Sequence, residues 1–590
     1  MAQVREWRAA HERAVIAELA ELVAIPNVAA DPASLERNAR HLAAMLERRG
    51  LATRLLRVEG APPAVFGELR TPGAVRTVVF YAHYDGQPVV PEEWSSDPYR
   101  PVLRTVVGGA PVDVATLPTP VDPEWRLFGR SAADDKAPIV ALVAALDALR
   151  AAGVAPSVNL KVLLEGEEEG GSPHLAQVLR EHRAALAADA WLLCDGPAHQ
   201  TRRPQILFGV RGVMSVEMTV YGPARALHSG HYGNWAPDPS MALVHLLASM
   251  RSPDGTARVA GFAEAVRPLG PAARAALAAA PPVEDELKRE LALGWSEGAP
   301  ATLPERLLLP AINVLGFASG QVGAQAANAI PTEARAVVGF RLVPDLTPSR
   351  VRELVEVHVR AQGFAITHDG PTPEFRRNHA RVIRLDWEDG YPAHWTDMEL
   401  PVSKAVVRVA AASLERPLVT AQSMGGSLPL YVFAEETGAP LVVVPTVNHD
   451  NNQADRQPVG RDRPVRRPDR AARQRVLRPA PARTASRAGD PSCDILRARR
   501  RPMRVKTWLA AACVIAAFVV ARPAAAVGPV DIELEGRYWV NDFEKVRTRP
   551  TSTRGRPTRA RSSTSSCSRS ATASSASAPA GRATSTSSAR

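Results

Sequence analysis

Four short clusters of acidic and imidazole side chains stand out in the 590-residue chain. The first, His83-Tyr84-Asp85, follows the apolar run TVVFYA. Two residues apart on a strand, His83 and Asp85 point to one side, so His83 is placed to bind a metal while Asp85 orients its ring. Taken alone, a His-x-Asp is as well explained by a solvated surface. The second, Asp134-Asp135-Lys136, stands immediately before a helical pattern, where an Asp commonly serves as N-cap. The third, Glu165-Gly166-Glu167-Glu168-Glu169-Gly170-Gly171, follows the strand-like VNLKVLL. Its crowded carboxylates repel one another unless they are solvated or bound to cations, and the closing glycines suggest a tight loop at a sheet edge. The fourth is Asp195, at the end of the apolar WLLC.

Carboxylates with imidazole and no thiolate fit a hydrolytic zinc-type site. Two metals can share one carboxylate, polarise a carbonyl and activate a water between them, with a spare glutamate as general base. Cysteine chemistry is excluded on count and spacing: only Cys194 of the four cysteines precedes residue 490, and no Cys-x-x-Cys occurs.

The elements that must position these groups read as alternating helices and strands. Residues 5–22 and 34–49 have helical periodicity, the second capped by Ser34. Apolar runs at Ala64–Leu69, Thr77–Tyr81, Val158–Glu165 and Ala190–Cys194 read as strands, with helices at Ala137–Ala151 and Leu175–Ala187 between or after them. This is the pattern of an α/β sheet covered on both faces. In open α/β sheets ligands bind beyond the carboxyl ends of the strands, where all four clusters fall. Near Gln205 the texture changes. Met214–Tyr221 and Ala334–Leu342 alternate as strands, while Pro239–Met250 and Thr347–Gln362 read as helices, the last begun by Thr347. The pattern is a smaller α+β unit inserted in the first domain, which resumes and ends in the buried strand Pro440–Pro445.

In order and in combination, these motifs are similar to those of the M20 family of metallopeptidases, in its dipeptidase and carnosinase-like branch. YAHYDGQPV resembles the family's His-x-Asp motif, GRSAADDKAP its bridging-Asp motif and EGEEEGGS its Glu-Glu motif; LLCDGP, ALHSGHYG and GFRLVP follow in order. The resemblance covers residues 1–453. It implies an α/β fold with a zinc-aminopeptidase-like mixed sheet covered by helices and an inserted ferredoxin-like α+β lid that dimerises. The expected division is 1–204 and 381–453 for the catalytic domain and 205–380 for the lid. The implied function is metal-dependent hydrolysis of the amide bond in dipeptides or N-acylated amino acids, by a water activated between two Zn2+ ions per subunit, with Mn2+ or Co2+ as substitutes. His83, Asp134, Glu169 and Asp195 are the implied metal ligands, Asp134 bridging and joined to Asp135 by a cis peptide. Glu168 is the implied general base, with Asp85 and His228 as further catalytic groups; a one-residue slip to Glu167/Glu168 is the alternative register. Arg341, Asn328, Gly426 and Ser427 are the implied substrate contacts, Arg341 suited to a carboxylate by its bidentate fork. Ala226 and Met424 stand where relatives often carry acidic residues. The last family ligand, a histidine, falls at Ala454; His449 is the nearby substitute. That gap keeps a second reading open, a non-catalytic dimeric relative with an incomplete metal site.

The net charge of +11 conceals a split. Residues 454–590 carry 29 Lys+Arg against 10 Asp+Glu, leaving 43 against 51 in the first 453. Nucleic-acid binding through the basic tail would be salt-sensitive and independent of the body; the body implies neither nucleic acid nor membrane, and its N-terminus lacks the apolar core of a signal peptide, which reads as cytoplasmic. The tail is Arg/Ser/Pro-rich and of low complexity, a composition expected to be disordered. Within it, residues 503–526 have the basic, apolar and small-residue regions of a bacterial signal peptide. The tail reads as a shifted frame running into a neighbouring gene. The rival reading, a membrane anchor, must contend with an apolar run, Trp508–Ala521, of only 14 residues, short of the roughly 20 needed to span a bilayer.

Overall fold

The computed structural model describes residues 2–449, except 92–93, 95, 106–109, 123 and 447, together with 503–504. Among the strands, in chain order, are β1 (Ala52–Leu56), β2 (Ala64–Leu69), β3 (Thr77–His83), β4 (Asn159–Glu165), β5 (Ala190–Leu193) and β6 (Gln205–Leu207). The chain then passes through β7 (Gly212–Tyr221), β8 (Leu227–His228), β9 (Ala311–Ala318), β10 (Ala329–Ile330), β11 (Glu333–Leu342), β12 (Ala365–Thr367) and β13 (Val382–Trp387). It ends in β14 (Val419–Ala421) and β15 (Leu441–Val443). Eight of these form one mixed sheet in the order β1-β2-β4-β3-β5-β15-β6-β14. Its centre is parallel: β3 lies between β4 and β5, in register His83↔Glu165 and Tyr81↔Leu193.

The helices that cover this sheet are α1 (Ala2–Val23), α2 (Pro32–Glu47), α3 (Ala137–Ala151) and α4 (Leu175–Glu181), with α7 (Pro401–Ala412) and α8 (Leu430–Thr437) after the insert; α5 (Pro239–Met250) and α6 (Pro348–Ala361) lie within it. Strand periodicity divides the core cleanly. Phe80, Ala82, Val162, Leu164 and Val442 join Ile16, Leu19, Leu22 and Leu42 of α1 and α2 and the apolar α3. Their neighbours Val79, Tyr81, Leu163, Trp191 and Val443 face the other way, onto Leu175, Val178, Leu430 and Phe433. Burial on both faces explains why these strands read as continuous apolar runs. The carboxyl ends of β3, β4 and β5 therefore emerge together.

Most expected elements recur with small changes at their ends. The cap of α2 differs: Asp31 is the N-cap, and its carboxylate accepts from the Ser34 N–H at 3.2 Å. Pro32 occupies the first turn, where its missing N–H costs nothing, so the helix starts two residues before the expected position. The 175–187 helix is two pieces, broken at His182.

A second sheet has the order β9-β11-β7-β13-β12. Its long antiparallel pair β7/β11 runs from Gly212↔Leu342 to Tyr221↔Glu333, and α5 and α6 bury Leu243, Leu246, Val351 and Val355 with Val216, Met218 and Val338. The insert was expected to span 205–380, but β6 pairs within the larger sheet and β13 within the smaller one. The chain thus crosses between sheets near Arg211 and again after Trp387. Alternation alone cannot say which sheet a three-residue strand joins. Position 454 and nearly all of the tail, including the expected disorder and the signal-peptide-like segment beyond Arg504, lie outside the described residues. Met503–Arg504 pairs antiparallel with Arg126–Leu127.

Candidate metal centre

His83 is the last residue of β3 and is fully buried. Its Nε2 lies 2.9 Å from Asp134 Oδ1 and 3.8 Å from Glu168 Oε2, and its Nδ1 lies 3.3 Å from Asp85 Oδ1. Asp85 does more than face the ring. Its two oxygens accept from the backbone N–H groups of Glu168 and Glu169, at 3.1 and 3.0 Å. One buried carboxylate therefore fixes both the imidazole and the loop that carries the glutamates. Such hydrogen bonds to an ionised acceptor are among the stronger ones.

The three glutamates of the Glu-rich loop meet different partners. Glu167 turns aside to accept from the His174 N–H at 2.8 Å and to meet its Nδ1 at 2.9 Å. Glu168 is left beside His83, and Glu169 accepts from Gln87 Nε2 at 2.8 Å. Gln87 was not singled out from sequence, although it stands directly after His-x-Asp-Gly.

The peptide bond between Asp134 and Asp135 is cis. Asp135, which the sequence reading did not select as a ligand, is fully buried, and its Oδ2 accepts from the His83 N–H at 3.2 Å. Ligand atoms of His83, Asp135 and Asp195 all lie within 4.8 Å of one another. The adjacent acids of Asp134-Asp135 were the available signal, but periodicity does not decide which of two neighbours turns inward at an irregular bend. Beneath them Lys136 is fully buried, and its Nζ donates to the carbonyls of Leu22 and Ile25 at 2.9 and 2.8 Å, tying the acidic turn to the end of α1.

The electrostatics are those of crowded acids. Burial, then the charge of Asp134, pushes Glu169 up to about 8 and Asp195 up to about 6. Burial raises Glu168 well above the usual carboxylate range; the cationic form of His83 opposes this and Asp195 adds to it. For His83 burial disfavours the imidazolium, but hydrogen bonds to Asp134 and Asp85 and the nearby Glu168 charge overcome it and raise the imidazole. Asp135 Oδ1 is buried without a hydrogen-bond partner, and His83 Nδ1 meets only Asp85 Oδ1, at the long distance of 3.3 Å. Buried, mutually repelling carboxylates with unsatisfied donor atoms fit divalent cations, whose charge reverses this pKa logic.

The remaining expected residues form two other groups. Arg341 Nη1 donates to Ser427 Oγ at 2.8 Å, and the Gly426 carbonyl accepts from the Arg211 N–H at 3.2 Å. His228 and Asn328 come together away from the acids. His228 pairs with Ala329 across β8/β10, and Asn328 O accepts from the Ser229 N–H at 2.9 Å. The His228 ring is exposed, its Nδ1 accepting from the Gly230 N–H at 3.1 Å. His449 is close enough to His199 for its charge to help burial lower the His199 imidazole. His449, like Asp134 and Glu169, is not among the three residues His83, Asp135 and Asp195 whose ligand atoms lie within 4.8 Å of one another.

A mixed α/β sheet with a smaller inserted sheet, holding buried imidazole and carboxylates at its carboxyl edge, defines a metal-dependent hydrolase. The chain belongs to peptidase family M20/M25/M40, which it matches over residues 79–454, and is a metallopeptidase of that family. It is 27% identical over 440 residues to the Cys-Gly metallodipeptidase dug1 of Schizosaccharomyces pombe, covering 72% of this chain and 86% of that one. It is 32% identical over 211 residues to the human Beta-Ala-His dipeptidase, covering 35% and 38%. Among solved structures, the di-peptidase Dug1p of Saccharomyces cerevisiae superimposes with a TM-score of 0.60 at 19% identity, covering 88% of this chain and 97% of that one. Human carnosine dipeptidase 1 gives 0.60 at 21%, covering 88% and 98%.

Proposed function

We propose that this chain hydrolyses the amide bond of dipeptides or N-acylated amino acids with a free C-terminal carboxylate. The observation that carries the reading is the meeting of His83, Asp135 and Asp195 within 4.8 Å, with Glu168 Oε2 3.8 Å from the same imidazole. His83, Asp134, Glu169 and Asp195 would hold two divalent cations, zinc or in its place manganese or cobalt, with Asp135 close behind; that pair would polarise the scissile carbonyl and acidify the attacking water. Glu168 takes the water proton and delivers it to the leaving amine. Asp85 keeps Glu168 and Glu169 in place through their backbone N–H groups. Arg341 and Ser427 bind the substrate carboxylate.

The proposed division is a catalytic domain of 1–204 and 381–453 around a lid of 205–380, with the sheet crossings moved to Arg211 and Trp387. The lid is proposed to form a homodimer. β9 is the end strand of its sheet, so one row of backbone groups is unpaired. Val314, Leu315 and Phe317 on it are 46–49% exposed, and Met241 and Val244 of the adjoining α5 are 50% and 41% exposed; Ser240 Oγ and Ser319 Oγ, 2.8 Å apart, hold the two elements together. A dimer also gives a role to His228 and Asn328, which are exposed in their own chain and would reach a substrate held by the other copy.

The test is zinc-loaded full-length protein against a panel of dipeptides and N-acyl amino acids, with product detection. Glu168→Gln should keep its zinc and lose roughly 10²–10⁴-fold in turnover, whereas Glu167→Gln, altering a group committed to His174, should lose far less. No hydrolysis across the panel by metal-loaded protein would overturn the reading.

A further inference from the structure

We propose that Arg211 is a second carboxylate-binding residue, completing with Arg341 and Ser427 a two-guanidinium pocket for the free C-terminus of the substrate. The inference rests on the function proposed above and adds a residue to it. Arg211 stands where the chain crosses from the larger sheet to the lid. It is only 6% exposed, and an arginine so buried ordinarily has a carboxylate partner. Among the described residues no carboxylate lies within ion-pair distance of Arg211 or Arg341. Arg211 Nη2 donates to the Leu309 carbonyl at 2.8 Å, while Nε is buried without a partner.

Three observations place it beside Arg341 and Ser427, the carboxylate-binding pair proposed above. Its backbone N–H donates to the Gly426 carbonyl, the residue before Ser427. It lies two residues before Val213, which pairs directly with Arg341 across β7/β11, so the two arginines are diagonal neighbours on one face. Burial and then the Arg341 charge hold the Arg211 guanidinium down at about 10, which requires the two cations to be close. A buried guanidinium with an unsatisfied N–H beside a half-buried like charge costs free energy, and one anion relieves it. A carboxylate supplies both the charge and the acceptor lone pairs. The pocket spans the crossing between sheets, with Arg341 on the insert and Ser427 on the returning chain. Binding of the carboxylate would therefore also fix the lid against the larger sheet.

The experiment uses the full chain with zinc and a reduced-amide analogue of glycylleucine, which cannot be cleaved, as free acid and as C-terminal amide. Affinities are measured by calorimetry for the unaltered protein, Arg211→Lys, Arg211→Met and Arg341→Lys, with thermal melts on each. Losing a charge-assisted hydrogen bond should lower the acid-to-amide preference by about tenfold in Arg211→Lys and further in Arg211→Met, where the charge is also gone. An unchanged preference in folded Arg211 variants overturns the proposal. So does failure of both variants to give a cooperative melt, which would make Arg211 part of the architecture. If Arg341→Lys also leaves the preference unchanged, it is the carboxylate-binding reading itself that fails.

Discussion

At the scale of single residues, the sequence made the acidic set legible because its chemistry is unusual, but it did not reveal how the set is held. The clusters that hold His83, Asp134, Glu168, Glu169 and Asp195 could be selected by type and position, and the resemblance to the family picked these members within them. Asp135, Gln87 and Arg211 could not, because each acts through a backbone irregularity or a long-range approach that leaves no periodic trace. The same is true of Glu165, which faces inward beneath His83. Its Oε2 accepts from Tyr81 Oη at 2.6 Å, and burial pushes the carboxyl up to about 7. A carboxyl whose folded pKa is raised stabilises the fold while protonated and loses that contribution as pH rises through the folded value. The window therefore opens above the ordinary glutamate value near 4.5 and closes near 7. The metal-free protein should lose roughly 3 kcal/mol through this group across that window. Glu165→Gln keeps an acceptor for Tyr81 and has no charge to bury. Urea midpoints at pH 5 and pH 8 in the presence of a chelator should draw closer together in the variant; an equal spread in both proteins would mean Glu165 is not the buried acid described.

At the scale of elements, α3 and α5 could be bounded correctly because Pro at the first turn and strong helix formers leave little choice. Thr347 was likewise legible as the cap of α6, its Oγ1 accepting from the Arg350 N–H at 3.3 Å. Short strands were harder. β6 and β14 have three residues each, and only pairing across more than 200 residues of sequence makes them strands. β9 was not anticipated at all, since its exposed apolar face has neither strand alternation against a core nor a helical stripe. That face carries the next prediction. Leu315→Arg and Phe317→Asp place charges on both faces of an edge strand whose side chains touch little of the chain's own core. The folded state should tolerate them to within about 0.5 kcal/mol, as is usual for surface changes. Association should not, because charge buried in an apolar contact is strongly penalised. Sedimentation of the double variant should show a monomer with an unchanged melt at low concentration, where the unaltered chain is expected to be a dimer. A dimer in both would move the interface off β9.

At the scale of the whole molecule, the proposed metal centre draws on segments spread between residues 83 and 195, and the proposed carboxylate pocket on residues 211 to 427. The family match ends at residue 454, where the acidic body gives way to Arg-Pro-rich text. Composition made this boundary plain. The resemblance adds that the last histidine ligand is expected at Ala454, five residues after His449. A site built from crowded acids still gains from cations, but with one ligand fewer the ion at that position should be held more weakly. Changing Ala454→His and replacing the residues after it by a helix-forming segment should therefore tighten zinc at one of two sites and leave the other unchanged. The expected gain is about 10–100-fold, the scale on which even outer-shell changes alter metal affinity. The decisive comparison is a zinc titration of both proteins with the same dipeptide assay. Two binding phases merging into one tight phase, with turnover rising in parallel, would locate the missing ligand at 454. Equal affinity and equal turnover would mean that a residue of the existing body already completes the centre.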